Sequence, residues 1–261
     1  MMTLMGFLAR NRTVHVADLD RWLRMAGKRS ESYREQLLKG LCANGTLVRV
    51  RRGLYAQIGS NAVADPYELA ASMMPDALMA GRTALELRDA VPGTRRSTAC
   101  IVFTKAISAG RGLTWQGVTM RPIRHPTALV RAGKCLVETE RVAKNGGRPL
   151  RVASVERAFV DMLDRPRMNG GWHELMDIVA AVPRLDLDRT VWYLKQLDNA
   201  TTAAKLGWIL ERDASRFAAG PEVLTSIERM RPRGPHYLSR THRQSGRLLR
   251  RWNLVVPPEH L

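Results

Sequence analysis

Three arginines within four residues, Arg49, Arg51 and Arg52, lead into Gly53. Guanidinium groups crowded onto a tight turn are suited to gripping phosphates. Upstream, Arg29, Ser30, Ser32, Tyr33, Gln36 and Lys39 supply hydrogen-bonding side chains at close to helical spacing. A glutamine can hold an adenine edge, and a lysine a guanine edge or a phosphate. A second basic cluster lies near the other end: residues 229–251 carry eight arginines and no carboxylate, among them Arg240, Arg243, Arg247, Arg250 and Arg251. The whole chain has 42 Lys and Arg against 24 Asp and Glu, a net charge of +18, and 35 of the 42 are arginine. An arginine-rich composition explains that preference but not the placement. Residues 1–60 are +7, whereas residues 61–228 are only +4. Charge gathered at two places fits a polyanionic partner better than general solubility.

Other chemistry fails on spacing. His173-Glu174-x-x-Asp177 lacks the second histidine of a zinc protease motif and reads as a helix surface. Asp186 and Asp188 lie far from Gly59-Ser60, so they are not the carboxylates of a nucleotidyltransferase turn; they suit the start of a helix. Glu156 and Asp161 share no helix face and fit ion pairs with Arg157 or Arg165 better than joint catalysis. No lysine has an acid two residues before it, and neither G-x-S-x-G nor a P-loop is present. His125, His236 and His242 sit among basic residues and read as surface. Cys42, Cys100 and Cys135 form no C-x-x-C pair, which favours free thiols in a reducing cytoplasm. The expectation is a cytoplasmic protein with no catalytic residues, no metal and no cofactor. No run of eighteen apolar residues exists, so no membrane role is expected, and the polar-interrupted start does not read as a secretory signal.

The elements that must position the basic residues can be read from periodicity. Met2–Arg10 forms an amphipathic helix, Thr13–Val16 a short extended link and Ala17–Met25 a second helix. A third helix is expected from Ser32, with Ser32-Tyr33-Arg34-Glu35 as a capping box and Leu37, Leu38, Leu41 and Cys42 as its apolar stripe. Asn44-Gly45 ends it. Two strands, Leu47–Val50 and Leu54–Ala56, then flank the Arg51-Arg52-Gly53 turn. This is the order of a winged helix-turn-helix. Ser32, Gln36, Lys39, Gly40 and Ala43 lie opposite the apolar stripe, where base edges would be met. Arg29, Ser30 and the helix start face phosphates, as do Arg49, Arg51 and Arg52 on the ribbon. A protein-docking winged helix is the alternative; the basic ribbon tip favours DNA.

Beyond a linker near 61–66, residues 65–261 read as a larger α+β interaction domain. Helices are expected at Pro66–Met74, Arg82–Leu87, Ser154–Leu163, Trp172–Val182, Leu187–Gln196 and Ala203–Arg212. Strands are expected at Ala99–Thr104, Gly117–Ile123 and Leu150–Val152, with a closing strand from Arg247 to Pro257. In that last stretch Trp252 and its neighbours should pack inward and present the arginines on a fixed surface.

Gly45-Thr46-Leu47-Val48-Arg49-Val50-Arg51-Arg52-Gly53-Leu54-Tyr55 resembles the wing of AbiEi-type antitoxins, transcriptional regulators of abortive infection in type IV toxin–antitoxin systems. Val152-Ala153-Ser154-Val155-Glu156-Arg157-Ala158-Phe159-Val160-Asp161-Met162-Leu163 is similar to that family's middle helix. Gly170-Gly171 before an acidic helix, and Arg251-Trp252-Asn253-Leu254-Val255-Val256-Pro257, also fit, while Asp76 to Gly147 matches only loosely. The resemblance implies a phage-defence antitoxin that represses its own operon through inverted repeats and opposes a nucleotidyltransferase-like toxin. It carries a DNA role to Arg49, Arg51 and Arg52 and assigns no toxin-facing residue. An RNA-binding protein, or an enzyme of RNA metabolism using the C-terminal arginines, is the rival expectation.

Overall fold

The computed structural model describes residues 3–28, 30–59, 63–74, 76–91, 99–105, 113–143, 148–182, 184–239 and 246–261. The chain is mixed α+β, and the described residues form three separate sheets.

The first unit runs α1 (Leu4–Arg10), β1 (Thr13–His15), α2 (Val16–Met25), α3 (Glu31–Ala43), β2 (Leu47–Arg51) and β3 (Leu54–Gln57). Strand β3 lies between β1 and β2 and is antiparallel to both. Apolar residues at helical spacing build a small core: Phe7 and Leu8 of α1, Leu19 and Leu23 of α2, Leu38 and Leu41 of α3, with Val14 and Leu47 from the strands. Phe7 stacks on Trp22 at 5.3 Å between ring centroids. The start of α3 differs from the sequence expectation. Ser30, not Ser32, is the N-cap, and its hydroxyl accepts from the Tyr33 amide at 3.5 Å. Glu31 and Arg34 then pair at 2.6 Å within the first turn, so Ser32 is an exposed helical residue rather than a cap.

The larger part begins with α4 (Pro66–Met73), β4 (Leu78–Met79), α5 (Gly81–Leu87), β5 (Ala99–Thr104), β6 (Thr114–Trp115), β7 (Val118–Arg124), α6 (Thr127–Arg131), β8 (Thr139–Val142), β9 (Leu150–Ala153) and α7 (Val155–Asp164). Its six strands run in the order β6-β7-β5-β4-β9-β8, with β5–β7 and β4–β9 parallel and the other neighbours antiparallel. Ser154 caps α7 through the Arg157 amide. Inside α7, Arg157 is fully buried. It pairs with Asp161 at 3.3 Å and donates to the carbonyls of Cys135 and Val137, while the Tyr193 hydroxyl donates to Asp161 at 2.6 Å. A buried charge persists because it is paired and hydrogen-bonded. His125, expected at the surface, is buried instead, its ring 5.5 Å from that of Phe103. Burial and the nearby Arg157 charge lower its pKa to about 4. His236 is exposed and bonded to Thr201, and His242 lies outside the described residues.

Next follow α8 (Trp172–Ala181), α9 (Leu187–Leu197), α10 (Ala200–Arg212), α11 (Ala214–Phe217), α12 (Pro221–Glu228), β10 (His236–Tyr237), β11 (Arg247–Leu249) and β12 (Leu254–Val256). Asp186 caps α9 and Asp188 sits in its first turn, as dipole considerations required. The expected closing strand is a hairpin. The chain turns back at Arg250–Asn253, with Asn253 at φ 47, so that β11 pairs antiparallel with β12, and β10 adds parallel. The break lets Trp252 leave the strand and become fully buried. Gly207 of α10 makes room for it: a Cβ there would lie 2.1 Å from the indole.

The two parts share core. Leu54 and Ala56 of β3 belong to the same buried cluster as Leu69 and Ala70 of α4. Polar bonds reinforce the junction, with Thr13 Oγ1 to Ser72 Oγ at 2.7 Å, His15 Nε2 to the Ser72 carbonyl at 2.6 Å, and Trp115 Nε1 donating to the Ala64 carbonyl at 2.8 Å.

Candidate nucleic-acid interface

Helix α3 turns Leu38 and Leu41 into the small core, and its opposite face is exposed at Ser32, Tyr33, Gln36, Lys39, Gly40 and Ala43. The wheel drawn from sequence therefore matches the observed burial. The Lys28 ammonium lies 5.3 Å from the Tyr33 ring centroid and adds a cation at the helix entry. Arg34 is turned aside by Asp20 and Glu31. Glu31 and Glu35 put two carboxylates on the first turn's flank, where they would repel a phosphate strand. Arg29 lies outside the described residues.

In the β2–β3 ribbon, Gly53 takes φ 77, a left-handed conformation that glycine adopts without penalty. The register shifts between Arg49 and Arg51, a bulge of the kind that redirects side chains. Arg49, Arg51 and Arg52 are all exposed. They are not equivalent, however. Arg51 Nη2 donates to the Met73 carbonyl at the end of α4, at 2.6 Å. One of the three arginines is thus partly occupied in holding the ribbon against the larger domain.

At the second basic cluster, Arg247 and Arg250 are exposed, while Arg240 and Arg243 lie outside the described residues. Arg251 behaves differently. Its guanidinium bonds Glu211 at 2.5 Å and Glu228 at 3.0 Å, and lies 5.1 Å from the Trp252 ring centroid. Its pKa is raised, first by the hydrogen bond to Glu211. Trp252 Nε1 also donates to Glu211, at 2.6 Å. Arg251 therefore neutralises the two carboxylates around the buried tryptophan rather than forming an open cationic surface. Among the described residues no group of three or more His, Cys, Asp or Glu is placed to hold a metal, and no described helix is long and apolar enough to cross a membrane.

These features define a mixed α+β chain whose N-terminal helices and small sheet are fused to a larger six-stranded body. Among solved structures, the RV2827C protein from Mycobacterium tuberculosis matches with a TM-score of 0.60 at 18% identity, over 97% of this chain and 89% of that one. The likeness is one of fold. No family model and no curated protein matches the sequence.

Proposed function

We propose that the chain is a DNA-binding transcriptional regulator in which residues 1–60 form a winged helix-turn-helix. In this reading α3 enters the major groove and the β2–β3 ribbon is the wing. The observation that carries it is the exposed face of α3: Ser32, Gln36 and Lys39 project from a helix whose other side is locked into a core. Among the described residues none of the three is engaged by another side chain. Small and hydrogen-bonding side chains on such a face suit a groove about 12 Å wide. The element order and the strand order β1-β3-β2 support this reading, as do Arg49 and Arg52, which are exposed and, among the described residues, engaged by no other group.

The resemblance to AbiEi-type antitoxins extends the proposal to a cytoplasmic, non-enzymatic repressor. Such a protein would bind inverted repeats before its own toxin–antitoxin operon and counteract a nucleotidyltransferase-like toxin, by contact or through function alone. A gel shift of the full chain on its own upstream DNA, challenged with random duplex and with RNA, tests this. Retention of the specific complex against both competitors is expected. RNA that competes as well as the upstream DNA overturns the reading in favour of RNA binding.

A further inference from the structure

A cleft of about 620 Å³ opens between the beginnings of α8 and α10 and the chain at Tyr237. That size lies within the roughly 300–1,000 Å³ of small-molecule sites. Lys205 lines it and is only 6% exposed. Its ammonium donates to the Leu163 carbonyl at 2.9 Å and lies 5.4 Å from the Trp172 ring centroid. Among the described residues no carboxylate is within ion-pair distance of it. The acid beside it, Asp164, is already engaged by Asn199 at 2.8 Å, Thr202 at 3.0 Å and Arg165 at 3.3 Å. An ammonium has three donors, and burying one with a single hydrogen-bond acceptor and no carboxylate paired directly to it is unfavourable.

The surroundings favour an anion at that point. Helix α8 starts from Gly171, which offers no capping side chain, and both Gly171 and Trp172 line the cleft. An uncapped helix start presents amide N–H groups and the positive end of the dipole. The wall also carries Arg165, paired with Asp164, and the exposed Arg167, so three cations face the two carboxylates Asp164 and Glu259. Two large apolar side chains of the wall, Met168 and Tyr237, remain 39% and 36% exposed. Cation and apolar surface meet in one concavity.

We propose that this cleft binds a small organic anion, with its phosphate or carboxylate on Lys205 and its apolar body against Met168 and Tyr237. The site stands apart from the DNA-binding reading, since none of its residues belongs to the first sixty.

Isothermal titration of the full chain at pH 8, in buffers of different ionisation enthalpy, tests the proposal with three probes: adenosine monophosphate, benzoate and inorganic phosphate. One-site binding of adenosine monophosphate or benzoate is expected, and which of them binds identifies the head group. Proton uptake should accompany it, because burial lowers the Lys205 pKa to about 8 and a bound anion raises it again. Lys205→Met should weaken binding at least tenfold and abolish the proton uptake. Met168→Glu, a change at an exposed position, should weaken it as much. Inorganic phosphate should bind at least tenfold more weakly than the organic probe. Absence of saturable binding at millimolar concentrations overturns the proposal. So does binding that survives both substitutions, or inorganic phosphate that binds equally well. If Lys205→Met fails to fold, Met168→Glu and the proton uptake of the unaltered protein decide.

Discussion

Lys205 and Trp252 are buried side chains whose polar atoms are each held by a single partner, the Leu163 carbonyl and Glu211, and each site can be tested alone. Lys205 has a depressed pKa of about 8, caused first by burial. Below pH 8 the lysine is charged in both folded and unfolded chains, and the burial penalty is constant. Between about pH 8 and the ordinary value of 10.5 the unfolded chain binds more protons, so this group's contribution to stability rises with pH. Parent stability measured against Lys205→Met should therefore rise by up to ~3 kcal/mol as pH climbs from 8 to 10.5. Chemical denaturation across that range is the measurement, and a gap that does not change with pH would contradict the argument. Gly207 is a steric case. Alanine there gains about 1 kcal/mol of helix propensity, but its Cβ would meet the Trp252 ring at 2.1 Å. That ring cannot withdraw, because Nε1 is bonded to Glu211. Overpacking of this kind costs about 1–3 kcal/mol or more, so Gly207→Ala should lower the melting temperature despite the better helix former.

At the level of elements, α3 and the ribbon should contribute differently to DNA binding. Arg49→Ala and Arg52→Ala each remove one exposed cation and should flatten the slope of log affinity against log salt by ~0.9. Arg51→Ala should change the slope less and loosen the ribbon more, since its guanidinium holds the Met73 carbonyl. Gln36→Ala and Lys39→Ala should instead erode discrimination between operator and random duplex, by about 1–3 kcal/mol per lost base contact. Gel shifts over a salt series separate these effects. Equal loss of specific and non-specific affinity in the α3 variants would mean that the helix does not read sequence. Some elements were plain from the sequence and others were not. Strand β5 follows from a continuous apolar run bounded by polar residues, and helix α8 from apolar residues at helical spacing. Strand β4 does not: its two residues, Leu78 and Met79, lie between Ala77 and Ala80 in an apolar run without alternation, yet it occupies the middle of the sheet.

For the whole molecule, the shared core has a consequence for the boundary near residue 60. Leu54 and Ala56 are fully buried against the larger body, and β1 is bonded to Ser72 of α4. A fragment of residues 1–65 uncovers that face, and burying a leucine side chain is worth about 1.5–3 kcal/mol. Chains this short are marginally stable even when complete. The fragment is expected to melt well below the full chain when followed by circular dichroism. A fragment that keeps the full chain's melting temperature would show the first unit to be independent.

Local chemistry explains what could be read without coordinates. Periodicity of 3.6 placed α1, α2 and α3 and chose the buried face of α3 correctly, because an amphipathic helix has one way to hide its apolar stripe. Glycine at 53 and the flanking β-prone residues marked the ribbon, since the turn needs a left-handed residue. The lone charge of Lys205 within Ala203-Ala204-Lys205-Leu206-Gly207-Trp208-Ile209-Leu210 is a signal that reading this segment only as a helix passed over. Contacts between residues distant in sequence were not legible. The engagement of Arg51 by the Met73 carbonyl and of Arg251 by Glu211 and Glu228, the burial of His125 and the cleft at Lys205 all depend on groups far apart along the chain. Charge counts treat every arginine alike; only tertiary structure decides which guanidinium is neutralised inside the fold and which remains free for a partner.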